Sequence, residues 1–175
     1  MIDVGYCQTM AHYNQWMNRR LYALCGELSD EERKRDRGAF FKSIHGTLNH
    51  LLYGDLAWMG RFTHEPFHAP HAGIDLANID LANLYEDFTE LHHTRVVMDQ
   101  QMLDWSANLT TDWLVTPYEY VSTVYQQTRI LPNWLLVTHM FNHQTHHRGQ
   151  LTTLLSQLGI DPGITDLPWM PSLES

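Results

Sequence analysis

Leu84, Phe88, Leu91, Arg95, Met98, Met102 and Trp105 follow one another at alternating four- and three-residue steps. A helix with about 3.6 residues per turn gathers all of them on one stripe, whereas a strand would scatter them over both faces. A stripe of this length is the seam of a helical bundle, interrupted once by the cation of Arg95.

Three other segments repeat the pattern. The first helix is predicted from about Asp3 to Leu28, with Met10, Met17, Leu21, Leu24 and Leu28 on one stripe and Asn14 in line with them. Ser29 and Glu32 make a capping box that opens a short piece ending near Gly38. Ser43 caps the next long helix, which carries Leu48, Leu51, Leu52, Trp58, Met59 and Phe62. From His64 to about Asn78, Pro66, Pro70 and Gly73 mark a loop. Asp75, Asn78 and Asp80 compete to cap a third long helix over about Leu81 to Ser106. Trp113 to Ile130 breaks the period. Pro117 and the β-preferring Tyr118, Tyr120, Val121, Val124 and Tyr125 predict two short strands or an irregular excursion. Pro132 fits the first turn of the fourth long helix, which ends at Leu158 before Gly159. Pro162, Pro168 and Pro171 exclude a long helix in the tail. The expectation is an all-α chain, a four-helix bundle with a short irregular or β-like excursion between the third and fourth long helices. No linker divides it, so residues 1–175 are read as one domain.

Composition narrows the function. A formal charge of −9 disfavours nucleic acid, and the one basic cluster, Arg33, Lys34, Arg35 and Arg37, is interleaved with Asp36 and preceded by Glu31 and Glu32. Apolar runs such as Trp134–Val137 are far too short to span a membrane. Met1–Met10 has neither a basic nor an apolar leader region, so a cytoplasmic protein is expected. Cys7 and Cys25 both fall in the first helix, where eighteen residues separate them by roughly 27 Å, too far to bridge within one chain.

Histidine is in excess, at 12 of 175 residues. His143 and His147 stand four apart on the fourth long helix, so both rings leave one face a turn apart and can meet one divalent ion. In a chain so rich in histidine, about one such pair arises by chance, and His64 and His68 are another. Context favours the first pair: Leu136, Met140, Leu151, Leu154 and Leu158 share its face, which is read as pointing into the bundle. A pair of hydrogen-bonded core histidines is the competing reading. His50 is the candidate third ligand, on a helix face of small residues (Gly46, Thr47, Gly54, Ala57) that lets a neighbour approach closely. Three imidazoles would leave one coordination position open. His139 and His146 are read as neighbours rather than ligands, and His64, His68 and His71 as a solvated loop. His92 and His93 are read as helix surface, while His12 and His45 show no partner pattern. Gln150 could bond a water on the ion or make a polar contact between helices, and Arg148 points away from the site toward an acid on another helix.

The segment His143-Gln-Thr-His-His147-Arg-Gly-Gln150 resembles the signature of the DinB-like (DinB/YfiT) family. Tyr13-Asn14-Gln-Trp16-Met-Asn18, Thr47-Leu-Asn-His50-Leu-Leu and the tail with Gly159, Pro162 and Asp166-Leu167 are similar too, so the likeness spans nearly the whole chain. The resemblance implies a four-helix bundle, commonly dimeric, with a divalent metal on His50, His143 and His147; for such imidazole donors zinc or nickel is the expected occupant. Some relatives have a carboxylate where this chain has His143. The resemblance also suggests a metal-dependent enzyme that acts on a small-molecule substrate with a low-molecular-weight thiol, by S-transfer or isomerisation. A metal-dependent hydrolase and a non-catalytic metal-binding stress-response dimer are the alternatives. The residues themselves identify no general base, so the catalytic groups stay unassigned.

Overall fold

The computed structural model describes residues 1–65, 84–122 and 126–171. Four long helices form the bundle: α1 (Val4–Gly26), α3 (Ile44–Thr63), α4 (Phe88–Ala107) and α6 (Asn133–Gln157). Short helices α2 (Asp30–Lys34) and α5 (Thr111–Val115) and the hairpin β1 (Pro117–Ser122) with β2 (Gln127–Pro132) fill the connections. The strands pair antiparallel, with Pro117 opposite Pro132 and Ser122 opposite Gln127. The excursion is therefore a real hairpin behind one turn of helix; Val124 and Tyr125 lie outside the described residues. No helix among the described residues is long and apolar enough to cross a membrane.

Local chemistry sets most of the boundaries. Side chains of Asp3, Ser29, Ser43, Asp87 and Thr110 each accept a bond from a backbone N–H in the first turn of the helix they precede. At the far end of α6, Gly159 takes the positive φ of 75° that closes the helix. Pro132 caps α6 from outside rather than entering its first turn, because it still pairs in β2. The short α2 stops at Lys34, earlier than Gly38.

The larger correction concerns α4, which starts at Phe88 and not near Leu81. Residues Asp75, Asn78 and Asp80 lie outside the described residues, and the cap in place is Asp87. The reason is tertiary. His45 Nε2 lies 2.7 Å from the Tyr85 carbonyl, and Asn49 on the same helix both donates to that carbonyl and accepts from the Tyr85 N–H. Those bonds hold Leu84 and Tyr85 as buried non-helical chain against α3. The proposed seam survives as buried Leu91, Arg95, Met98 and Met102.

In the bundle α1 packs on α4 and α6, and α3 packs on α6 and α4, so the helices run around the core in the order α1, α4, α3, α6. Most of that core is apolar, with Met17, Leu21, Leu48, Leu52, Leu91, Met102, Met140 and Leu151 essentially inaccessible. Through its middle passes a closed circuit of polar side chains. Gln144 on α6 donates to Asp55 on α3. The other Asp55 oxygen takes Arg95 of α4, which also pairs with Asp99 one turn on, at 2.9 Å. Asp99 accepts from Asn18 at 2.9 Å and Asn14 at 3.4 Å, both on α1. Asn14 in turn accepts from Arg148, back on α6. Two guanidinium groups and two carboxylates thus balance in the interior, as buried charges must. Burial works against the Arg95 cation, but Asp99 and Asp55 outweigh it and hold its pKa above the ordinary value. Burial pushes Arg148 down to about 10. Arg148 does point away from the histidines, but its partner is the Asn14 amide and not an acid.

Candidate metal centre

His50 leaves α3, and His143 and His147 leave α6, where the two helices touch. A Cβ added at Gly54 would lie 2.8 Å from His143 Cε1, so the absence of a side chain there is what admits the ring. His50 Nε2 lies 2.9 Å from His143 Nε2 and 3.1 Å from His147 Nε2. The three residues form one cluster whose donor atoms all fall within 4.8 Å of one another and could hold a metal ion. Among the described residues no carboxylate or thiol joins them.

The expected inward orientation holds for His147, which is buried, whereas His50 and His143 sit at the edge of the bundle interior. Leu136, Met140, Leu151 and Leu154 are buried, but the face they form is completed by Phe141, Gln144 and Arg148. His143 lies about 100° from Gln144, at the edge of that face, and is half-buried, as is His50, whereas His147 keeps 8% of its surface. The site is thus open on one side and lined by the bundle on the other.

The donor set fits a cation. Bonds of about 2.0–2.1 Å to one ion, at angles between square and tetrahedral, put neighbouring nitrogens about 2.8–3.4 Å apart, which spans both observed separations. His147 Nδ1 lies 2.8 Å from Gln150 Oε1; an amide oxygen only accepts, so the proton sits on Nδ1 and leaves the Nε2 lone pair facing the cluster. With neutral rings, a single N–H from His50 would have to serve two acceptors. Burial and then the neighbouring rings hold His143 down at about 3, and burial and His147 hold His50 at about 4. His147 is lowered as well, chiefly by burial. All three rings are therefore uncharged at neutral pH, and each retains one nitrogen lone pair that can be turned to a cation in the same small volume.

Two surrounding residues escaped sequence reasoning in their roles. Phe41 stacks on His50 with ring centroids 3.8 Å apart and meets His147 edge-on at 5.4 Å. It precedes the helix cap by two residues, and nothing in its spacing tied it to a histidine. Gln150 does reach the site, by orienting His147 and not by crossing to another helix, and its Nε2 also lies 3.3 Å from His146 Nε2. The i,i+3 spacing of His147 and Gln150 was the available signal.

The remaining histidines separate as follows. His139 lies outside the cluster, its ring 5.3 Å from Trp58 and 6.1 Å from His143. His146 is exposed, and His64 caps α3 in the left-handed conformation with its ring 6.0 Å from Tyr118. His68 and His71 lie outside the described residues. His45 has a partner after all in Tyr85, and His92 is no simple surface residue, since it stacks on Tyr22 at 5.1 Å.

Comparison with known proteins agrees with the fold. The family model described as DinB family matches residues 1–174. Protein DinB of Bacillus subtilis (strain 168) is 25% identical over 165 residues, covering 88% of this chain and 87% of that protein. The crystal structure of a DinB-like protein from Bacillus cereus ATCC 10987 has the same fold, with a TM-score of 0.60 at 18% identity, over 85% of this chain and 91% of that one.

Proposed function

The chain belongs to the DinB family, and we propose that it binds one divalent ion, zinc or nickel, on His50, His143 and His147 and is a metal-dependent enzyme acting with a low-molecular-weight thiol. The observation that carries the reading is the convergence of three imidazole Nε2 atoms with no carboxylate among them in the described residues. Imidazole donors suit zinc and nickel. When bound, such an ion supplies a Lewis acid with an open position, which favours the deprotonated form of a thiol or of water.

The chain's own residues prepare that position. Gln150 holds the His147 proton on Nδ1, away from the ligand face. Phe41 covers one face of His50 and excludes water there. Gly54 leaves room for His143. The nucleophile comes from outside. Burial pushes the Cys7 thiol up to about 11 and the Cys25 thiol up to about 12, and both are wholly inaccessible. Reaction by S-transfer or isomerisation on a small-molecule electrophile is the preferred chemistry. We also propose a cytoplasmic homodimer, for which light scattering should give twice the chain mass of 20.5 kDa.

Elemental analysis of purified protein should find one divalent ion per chain, falling sharply in His50→Ala and His143→Ala. Metal-loaded protein is then screened against electrophiles with several thiols, beside His147→Ala with its helicity checked by circular dichroism. Full metal retention in both alanine variants overturns the site. Turnover of an ester or amide without any thiol would replace S-transfer by hydrolysis, and a loaded site inert to every substrate would leave a metal-binding protein without catalysis.

A further inference from the structure

We propose that the buried polar circuit sets the register of α6 against its neighbours and thereby the separation of the histidine nitrogens, with Gln144 and Arg148 as positioning residues for the metal centre. The inference rests on the metal reading above.

His50 stands on one helix and its two companions on another, so their spacing depends on how α3 and α6 slide past each other. A slip of one residue is about 1.5 Å, whereas metal–ligand distances hold to about 0.2 Å. Apolar packing is non-directional and yields to small slides. Hydrogen bonds between charged and amide groups do not, because their geometry is narrow and their buried partners cannot turn to water.

The circuit sits where such control is needed. Gln144 directly follows His143, and Arg148 directly follows His147. On α3, Asp55 directly follows Gly54, the residue against which His143 packs. In each case the circuit residue is the next one along, about 100° round the helix, and lies deeper in the core. Asp55 is held from α4 by Arg95 while it accepts from Gln144, so it cannot follow α6 if that helix moves. Arg148 is held from α1 by Asn14. Helix α6 is thus pinned twice, one turn apart, to two different helices, and a slip would break both contacts together. Buried polar groups that fix helix register are the best-attested use of such groups.

The test is cobalt(II) titration of the full chain followed by visible absorption, with thermal unfolding of the metal-free protein alongside. Gln144→Leu removes the bond to Asp55 at similar volume. We expect cobalt affinity to fall by about 10- to 100-fold, with altered ligand-field bands. Gln144→Asn keeps an amide in the core but is one methylene too short for Asp55, and it carries the same expectation if the leucine variant does not fold. Leu155→Ala is the control: it empties a buried position on α6 about two turns beyond His147 and should lower the unfolding temperature with cobalt affinity within about twofold. Folded Gln144 variants with unchanged affinity and bands overturn the proposal, as does an equal loss of affinity in Leu155→Ala. Failure of the unaltered chain to bind cobalt, or undiminished binding by His147→Ala, overturns the metal reading itself, and the positioning role falls with it.

Discussion

Adding one methyl group at Gly54 should separate metal binding from folding. The new Cβ would stand 2.8 Å from His143 Cε1, 3.1 Å from Nδ1 and 3.7 Å from Nε2. Carbon atoms settle at about 3.5–4.0 Å, so the imidazole must retreat by about 0.7 Å or more. Ligand distances tolerate about 0.2 Å, so a ring displaced that far cannot keep its place beside His50 and His147. Folding obeys a different balance. Alanine is worth about 1 kcal/mol over glycine inside a helix. Against that stands a strained or rotated His143, which costs about 0.5–1.5 kcal/mol and has solvent on one side to move into.

Metal-free Gly54→Ala should therefore unfold within about 1 kcal/mol of the parent, which for a chain of this size is about 2–4 °C. With metal the two should part. A tenfold loss of affinity removes about 1.4 kcal/mol of linked stabilisation, so the zinc-induced rise in unfolding temperature shrinks by about 3–6 °C. Calorimetry of both proteins in chelator and in excess zinc, with a competition titration for affinity, reads both quantities. Unchanged zinc affinity would refute the geometric argument. A fall of the metal-free unfolding temperature by more than about 10 °C would show instead that His143 is locked by packing.

Acid should weaken the metal-free fold early. Burial holds His50 at about 4 and His143 at about 3, whereas in the unfolded chain both titrate near 6.5, so the unfolded state binds more protons between those values. This contribution to stability is complete above about pH 6.5 and is lost as pH falls toward 4 and 3; urea midpoints in chelator should be lower at pH 5.5 than at pH 8, and equal midpoints contradict the assignment. Neither cysteine should react with an aromatic disulfide reagent until denaturant is added, and Cys7→Ser/Cys25→Ser should keep any S-transfer activity that His147→Ala abolishes. Gln150→Leu should lower metal affinity about tenfold with the helix content unchanged, because it frees the His147 tautomer without opening the core; undiminished affinity would deny Gln150 that role.

The four long helices were legible because a helix that buries one stripe must repeat its apolar residues at the helical period, and Leu91, Met98 and Met102 do so whatever they pack against. The α6 histidines were legible for the same reason, one turn being a sequence distance of four. His50 was legible only through the small residues beside it and through family likeness. What stayed hidden depends on contacts between distant segments. Arg95 showed as a gap in a seam, yet its partner Asp55 lies forty residues away, and no spacing rule links them. Asp75, Asn78, Asp80 and Asp87 are equivalent as local caps; His45 and Asn49, gripping Tyr85 from α3, favour the last. The partial exposure of His143 was not legible because helical projection places it beside Leu136 and Leu154, while two buried polar residues, Gln144 and Arg148, draw the centre of the buried face away from it.

The all-imidazole composition of the cluster has a consequence for the ligand it should prefer. Three neutral donors leave a dication's charge uncompensated, and no carboxylate among the described residues joins them. Partial burial of the rings lowers the local dielectric and makes that charge felt more strongly by whatever enters the open position. Relatives with a carboxylate at the position of His143 cancel one unit of it. His143→Asp should accordingly keep a bound ion but weaken its hold on an added anion. On the cobalt-loaded protein, azide should bind several-fold less tightly to His143→Asp than to the unaltered chain, with imidazole, a neutral competitor, changed much less. Equal losses for both would mean that the substitution had only disturbed the site. Equal azide affinities would mean that ligand charge does not govern the open position, and the preference for a thiolate over a neutral nucleophile would lose its electrostatic basis.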